Sequence, residues 1–232
     1  MPAWASHMLV AILAATLVVI PGCATREPSA PASGTQPPGY PAREYERAIA
    51  EGKAVYRVDP AGSTVVIEVR RAGSLARLGH DHVVAGYDIR GYVMPDSNRA
   101  DLYIALDALV VDEAKLRAQA GFDTEPTADA IAGTRRNMLN RVLEAERFPF
   151  AVVSVGALDA ERVAPVSITL HGTTRTMGVP LQVDATPDEW LVAGSFALNQ
   201  TDFGIVPLSL LGGVIEVQDA VAVRFRIRAV RR

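Results

Sequence analysis

Apolar and polar residues alternate along most of the chain from Val55 onward, and this period of two constrains the fold more than any other feature. In the segment VAVRFRIRAV, residues 221–230, valine, phenylalanine and isoleucine occupy one face and three arginines occupy the other. Successive side chains of a β-strand point to opposite sides of the sheet, so the pattern predicts a strand with one buried face. Turn residues at regular intervals separate further segments of this kind, which indicates many antiparallel strands.

Eight strands are predicted in this part of the chain. They are expected at about residues 63–71, 82–94, 99–111, 149–158, 163–171, 175–186, 189–200 and 221–230. The connections HGTT (171–174) and ATPDE (185–189) have the length and composition of hairpin turns. Neighbours in sequence should then be neighbours in space, and eight such strands can close into a barrel. The predicted fold is an all-β, eight-stranded, antiparallel up-and-down barrel.

One long segment departs from the period of two. Residues 112–120 and 126–146 have helical composition, with Gly121 and Pro126 as breaks between and before the helices. We therefore expect a small helical insertion at about 112–147, lying over one opening of the barrel.

The N-terminus has the pattern of a secretory signal. Residues 8–20 are thirteen uncharged, mostly apolar residues followed by PGC. This run is shorter than the roughly 20 residues of a spanning helix and falls within the roughly 7–15 residues of a signal's apolar core. The ending resembles a bacterial lipoprotein processing site, so residues 1–22 are predicted to be a signal peptide and Cys23 to be lipidated. The alternative for Cys23 is an ordinary buried thiol.

The segment after Cys23 is expected to tether the domain. Residues 24–42 are rich in Pro, Ser, Gly and Ala and contain almost no large apolar side chain, which is typical of a linker. A short helix is predicted within 43–54, so the tether and helix together cover 23–54 and the barrel domain covers 55–232. Ala24 after Cys23 favours a lipoprotein of the outer membrane, on the periplasmic side of the envelope. The formal net charge of -3 gives no indication of nucleic-acid binding.

Several motifs, taken in their order, resemble the YceI-like domain proteins. They are YRVDPAGSTVVIEVR (56–70), IRGYV (89–93), ERFPF (146–150), ITLHGTTRTMGVPLQV (168–183) and FALNQTDFGI (196–205). The resemblance covers about residues 56–229. It implies a lipocalin-like barrel in the bacterial periplasm that binds, sequesters or transports a polyisoprenoid or quinone-like lipid, with no cofactor beyond such a bound lipid.

The side chains expected to face the barrel interior follow from strand parity. They are Val65, Ile67, Val69, Ile89, Val93, Leu102, Ile104, Leu106, Phe196, Val223, Phe225 and Ile227. An apolar interior could hold an isoprenoid chain, since each methylene-sized group removed from water contributes roughly 0.8 kcal/mol. The alternative is a stress-related structural barrel in which the same side chains fill a solid core.

The motif LGHDHVV (78–84) contains two of the four histidines of the chain. His80 and His82 share one side of a strand and could bind a metal together with His171, which gives a metal-binding or redox-accessory protein as an alternative function. If the strand is regular, parity groups the pair with Asp88 and Arg90 on the outer face. A bulge near Gly79 would instead turn the histidines inward, to the mouth of the barrel.

No catalytic motif stands out. The chain lacks G-x-S-x-G, H-E-x-x-H and phosphate-binding glycine patterns, so no enzymatic activity is predicted. Arg135 and Arg136, in the helical insertion, could contact an anionic head group such as a pyrophosphate at the mouth, or could simply face solvent.

Overall fold

The computed structural model describes residues 36–210 and 212–232. The predicted signal peptide, Cys23 and residues 24–35 of the tether lie outside the described residues. Within the described part, no helix has the length and apolar content needed to cross a membrane.

Strands dominate the described residues. They are β1 (Tyr56–Val58), β2 (Thr64–Val69), β3 (Arg71–Ala72), β4 (His82–Gly86), β5 (Arg90–Met94), β6 (Arg99–Ala105), β7 (Val110–Val111), β8 (Phe150–Val155), β9 (Val163–Leu170), β10 (Thr173–Ala185), β11 (Glu189–Asn199), β12 (Ser209–Leu210), β13 (Ile215–Val217) and β14 (Ala220–Arg231). The α-helices are α1 (Ala42–Ala50), α2 (Ala114–Gln119) and α3 (Ala128–Asn137), and a π-helical turn, Met138–Val142, continues α3.

The main sheet closes on itself. Its order is β1-β5-β6-β8-β9-β10-β11-β14, and β1 also pairs with β14, which completes the ring. Three of the barrel strands are interrupted: β1 and β2 form one long strand, β4 and β5 a second, and β6 and β7 a third. With β8, β9, β10, β11 and β14, the wall therefore has eight long strands. Every pairing is antiparallel between neighbours in this order, and the predicted up-and-down barrel is confirmed.

A tight turn joins β9 to β10 and fixes their register. Only His171 and Gly172 lie between the two strands, and both have positive φ angles, 51° and 75°. Two consecutive left-handed residues are characteristic of the type I′ hairpin turn, whose twist matches that of the strands. The register Thr173↔Leu170 follows from this turn.

The helical insertion lies where it was predicted. α2, α3 and the π-helical turn fall within residues 112–147, and Gly121 ends the α2 segment with a φ of 67°. Met138, Val142 and Leu143 contact the interior of the barrel, so the insertion covers one end of it. We call this the helical end.

The folded domain begins earlier than Val55. α1 packs against the outside of β5 and β6 through Tyr45, which is completely buried and stacks on Tyr92 at a ring distance of 5.0 Å. The Tyr45 hydroxyl donates to Asp101 Oδ2 over 2.7 Å. The short helix predicted within 43–54 therefore packs on the barrel through a tyrosine that is part of the core.

Candidate ligand-binding cavity

The barrel is hollow. Its interior contains a cavity of about 790 Å³, within the roughly 300–1,000 Å³ typical of small-molecule sites. The wall includes Pro95 and Asn98, at the turn between β5 and β6, and Leu210 and Ile215 near the helical end. The cavity thus extends along the barrel from one end to the other, and the predicted alternative of a solid core does not match the structure.

All twelve side chains expected to face inward line this cavity. Strand parity therefore gave their direction, while their contact with a ligand stays a prediction. The wall also contains residues from the other half of the barrel that were not selected from the sequence, although their strands alternate in the same way. They are Ala151, Val153, Val155, Ala164, Val166, Ile168, Leu170, Val179, Leu181, Val183, Val192 and Leu198.

The hairpin of β12 and β13 adds an apolar rim that the sequence analysis missed. Leu208, Leu210, Ile215 and Val217 line the cavity next to the helical end. β13 pairs with β3, so the hairpin is held against the segment that follows β2. Its strands have only two and three residues, too few for a period to be recognised.

His80 and His82 both line the cavity near the helical end. The sequence left two orientations open, outward in a regular strand and inward after a bulge near Gly79; the structure shows the inward one, without a bulge at Gly79. Instead, β4 ends at Gly86 and β5 begins at Arg90, and the side chains that point inward change from even positions (Val84) to odd positions (Ile89) across this break. The histidines keep the parity of Val84 and therefore face the interior.

Asp112 holds one of the two histidines. Its Oδ2 lies 2.6 Å from His82 Nδ1, while Oδ1 accepts hydrogen bonds from the Val83 N–H (3.0 Å) and from Arg117 Nη1 (2.6 Å). Burial alone would raise the pKa of the Asp112 carboxyl, but the hydrogen bonds from His82, Val83 and Arg117 outweigh burial and hold this pKa below its usual value. Asp112 is therefore a carboxylate that accepts three hydrogen bonds.

Arg117 is the buried cation behind this carboxylate. Only 6% of the residue is exposed, and besides Asp112 it donates to the backbone oxygens of Asp81 and Thr124. The Asp81 carboxylate points away from the cavity and accepts from the Arg71 N–H over 2.9 Å. A charge buried in this way has to be paired and hydrogen-bonded to be tolerated, and Arg117 satisfies both conditions.

His80 has an unsatisfied nitrogen. Its Nδ1 is buried and has no hydrogen-bond partner among the described residues. The ring lies 6.2 Å from that of His82, centroid to centroid. Buried polar atoms almost always have a partner, so His80 Nδ1 is an exception among the described residues.

The structure does not bring His171 to the other two histidines. Its ring packs on Phe148 at 4.7 Å and its Nε2 lies 3.3 Å from Glu144, at the turn between β9 and β10. Within residues 36–210 and 212–232, no three His, Cys, Asp or Glu side chains form a group that could hold a metal ion. The predicted three-histidine metal site is therefore wrong, because His171 is fixed in the turn.

Arg135 and Arg136 are not on the cavity wall. Arg135 donates to the backbone oxygens of Asp107 (2.6 Å) and Leu109 (3.4 Å), which ties α3 to the barrel, and Arg136 is exposed. Of the two roles that the sequence left open, a head-group contact and a solvent-facing position, Arg136 shows the second, while Arg135 is occupied by backbone oxygens.

A closed antiparallel barrel around an apolar cavity is the architecture of small β-barrel binding proteins. The YceI-like domain family model matches residues 56–229, and the chain belongs to this family. No curated protein matches the chain at a significant level.

Two solved structures are similar to the chain at low sequence identity. A polyisoprenoid binding domain from Saccharophagus degradans, implicated in plant cell wall breakdown, superposes with a TM-score of 0.55 at 15% identity, covering 78% of this chain and 100% of that chain. BcnA from Burkholderia cenocepacia gives a TM-score of 0.48 at 14% identity, over 75% of this chain and 99% of that one. At this level of identity the first comparison supports the fold.

Proposed function

We propose that this protein binds an apolar lipid of the isoprenoid type inside its barrel, and that it sequesters or carries this lipid in the bacterial periplasm as a lipoprotein anchored through Cys23. The observation that carries the proposal is the 790 Å³ cavity with its almost continuous apolar wall along the barrel. The polyisoprenoid binding domain of Saccharophagus degradans, which has the same fold, supports the choice of ligand class.

The shape and chemistry of the cavity favour a long, flexible chain. Each methylene-sized group that moves from water to an apolar site contributes roughly 0.8 kcal/mol, so a chain that follows the barrel gains affinity with length. All eight long strands of the barrel contribute β-branched or leucine side chains to the wall, and few polar groups are present that could bind a compact polar molecule. Binding, rather than catalysis, is the activity that such a site supports.

A pair of neighbouring substitutions tests this proposal. Val153 lines the cavity, whereas Val152 precedes it in β8 and is not on the wall. Native mass spectrometry of the wild-type chain produced in bacteria should show a co-purified lipid of isoprenoid mass. Val153→Trp should remove that lipid because the indole occupies the cavity, and Val152→Trp should retain it. A wild-type protein that stays empty when offered isoprenoids would refute the proposal.

The membrane anchor needs a separate test. Cys23→Ser removes the thiol that would carry the lipid, so the protein should move from the membrane fraction to the soluble fraction of fractionated cells. Unchanged membrane association would contradict lipidation but would leave the ligand proposal standing.

A further inference from the structure

The cavity has one polar spot in an otherwise apolar wall near the helical end, formed by His80 and His82. Asp112 determines which nitrogen of the His82 ring carries the hydrogen. Because Asp112 is an acceptor already engaged by Val83 and Arg117, the His82 nitrogen 2.6 Å from it, Nδ1, must be the protonated one. In neutral His82 the other nitrogen, Nε2, is then a hydrogen-bond acceptor, and it is the ring nitrogen that can reach the cavity.

The charges around this spot do not favour an anionic ligand. The charged residues of the wall near the histidines are Arg71 and Glu216. Arg71 is already engaged, since it donates to both oxygens of Asp123 at 2.9 Å and to the Gly79 oxygen at 3.0 Å. Arg117 is saturated by Asp112 and backbone oxygens. A phosphate would therefore meet Glu216 without a free cation to offset the repulsion.

We propose that His82 forms a binding site for a hydroxyl group at the end of the ligand, so that the preferred lipid is an isoprenoid with a neutral hydroxyl head rather than a phosphate. A hydroxyl both donates and accepts. It can donate to His82 Nε2, which accepts because the hydrogen of this ring is held at Nδ1 by Asp112. This inference rests on the proposed function, because it requires that the apolar chain occupies the cavity.

The test is a competition between three probes with the same chain. Geranylgeraniol, its methyl ether and geranylgeranyl phosphate are mixed at equal concentration with the full chain, and native mass spectrometry reads the ratio of bound species. The ether can only accept a hydrogen bond, so it loses the bond to His82 Nε2. Since one hydrogen bond changes an affinity by roughly 3–10-fold, the alcohol should exceed the ether by that factor. The phosphate should bind less than the alcohol.

A second competition, between a prenylated hydroquinone and geranylgeraniol, distinguishes two sources of the hydroxyl, a quinol and an isoprenoid alcohol. If the hydroquinone wins, the natural ligand class is a quinol, and if geranylgeraniol wins, it is an isoprenoid alcohol. Either result supports a hydroxyl site, whereas equal binding of the hydroquinone and its methyl ether would contradict one.

Asp112→Asn is the decisive variant for the tautomer, and because it also leaves buried Arg117 without its paired anion, its loading is measured on protein shown to be folded by circular dichroism. Asn keeps an oxygen for the Val83 N–H and Arg117, so its NH₂ group must face His82 Nδ1 and donate to it. The hydrogen of His82 then moves to Nε2, which becomes a donor that an ether or an alcohol satisfies equally. Asn also tolerates the left-handed backbone of this position, where φ is 57°. The alcohol-to-ether ratio should fall to about one while total loading is unchanged.

His82→Phe should give the same loss of preference, and His171→Asn is the matched control. His171 is off the wall, and its φ of 51° suits Asn, so this variant should keep the wild-type ratio. A wild-type ratio near one with normal loading would overturn the hydroxyl site and leave the proposed function standing. A preference for the phosphate would also overturn it. Absence of loading by every probe would instead refute the proposed function itself.

Discussion

Tyr45→Phe measures how much the N-terminal helix α1 contributes to the barrel. The tyrosine is fully buried, and its hydroxyl donates over 2.7 Å to Asp101, of which 4% is exposed. Burial, followed by the hydrogen bond to Asp101, raises the pKa of the Tyr45 hydroxyl, so it remains a donor at any ordinary pH. The substitution deletes one hydrogen bond to a charged, buried acceptor and keeps the ring in place.

The expected loss follows from the other partners of Asp101. A hydrogen bond to a charged group contributes about 1.5–3 kcal/mol. Arg99 still donates to the same oxygen, Oδ2, over 2.6 Å, and Ser154 donates to Oδ1 over 2.6 Å, so the carboxylate is not left unpaired. We therefore expect the lower part of the range, about 1.5–2 kcal/mol, which corresponds to a fall in Tm of roughly 3–8 °C for a domain of this size.

Urea and thermal unfolding monitored by circular dichroism provide the measurement. Tyr87→Phe is the matched control, because Tyr87 also donates to a carboxylate, that of Glu113, but is 38% exposed. An exposed pair should contribute less than about 0.5 kcal/mol. If the two phenylalanine variants were equally stable, the conclusion that α1 belongs to the folded domain would be refuted.

Three further predictions concern stability, measured by the same unfolding experiments. Gly91→Ala should lower the free energy of unfolding by roughly 2–4 kcal/mol, because a Cβ there would lie 2.2 Å from the Asp101 carbonyl oxygen. Its control is Gly121→Ala, where φ is 67° but the surrounding space is open, and which should lower the same free energy by only about 1 kcal/mol. Arg117→Met leaves the buried Asp112 carboxylate without its cation and should cost about 3–5 kcal/mol. The pKa of Asp112 is lower in the folded than in the unfolded protein, where it is about 3.9. The carboxylate therefore stabilises the fold fully above the unfolded pKa, and this contribution is lost as the pH falls through the lower pKa of the folded protein. The acid decline between pH 5 and 2 should therefore be shallower in Asp112→Asn than in the wild type, and an identical decline would contradict the role of this carboxylate.

The regular parts of the barrel were predictable from sequence because they repeat one local rule. β14 alternates over its whole length, and the His171-Gly172 turn has the composition of a short hairpin connection. Wherever the alternation is unbroken, parity identified the inner face, as with Val65 and Phe225.

The predictions failed where a few irregular residues interrupt a strand. Leu106–Ala108 form a 3-10 turn between β6 and β7, so Val110, which alternation groups with Leu106, is 38% exposed while Val111 is buried. The break between β4 and β5 is the reason why the sequence left the orientation of His80 and His82 open. Such breaks have no period of their own, so the phase of the next segment cannot be counted across them.

The two histidines were identified from the sequence, but the residues that hold them in place were not. His82 and Asp112 are 30 positions apart and meet because β7 pairs with β4, with Val84 opposite Val111. No sequence pattern singles out Arg117, and only the tertiary structure shows that it is buried and donates to the backbone oxygen of Asp81. Contacts of this kind depend on register between distant strands, which local patterns do not determine.

At the break between β4 and β5, the fold depends on the number of residues more than on which residues they are. Tyr87 and Asp88 sit at its surface, so substitutions there should be tolerated. Removal or insertion of a single residue would rotate β5 by half a turn, turning Ile89 and Val93 to the outside and Arg90 to the inside of the barrel. Among homologous sequences, positions 87 and 88 should therefore vary freely in residue type, while the number of residues between Gly86 and Ile89 should hardly vary.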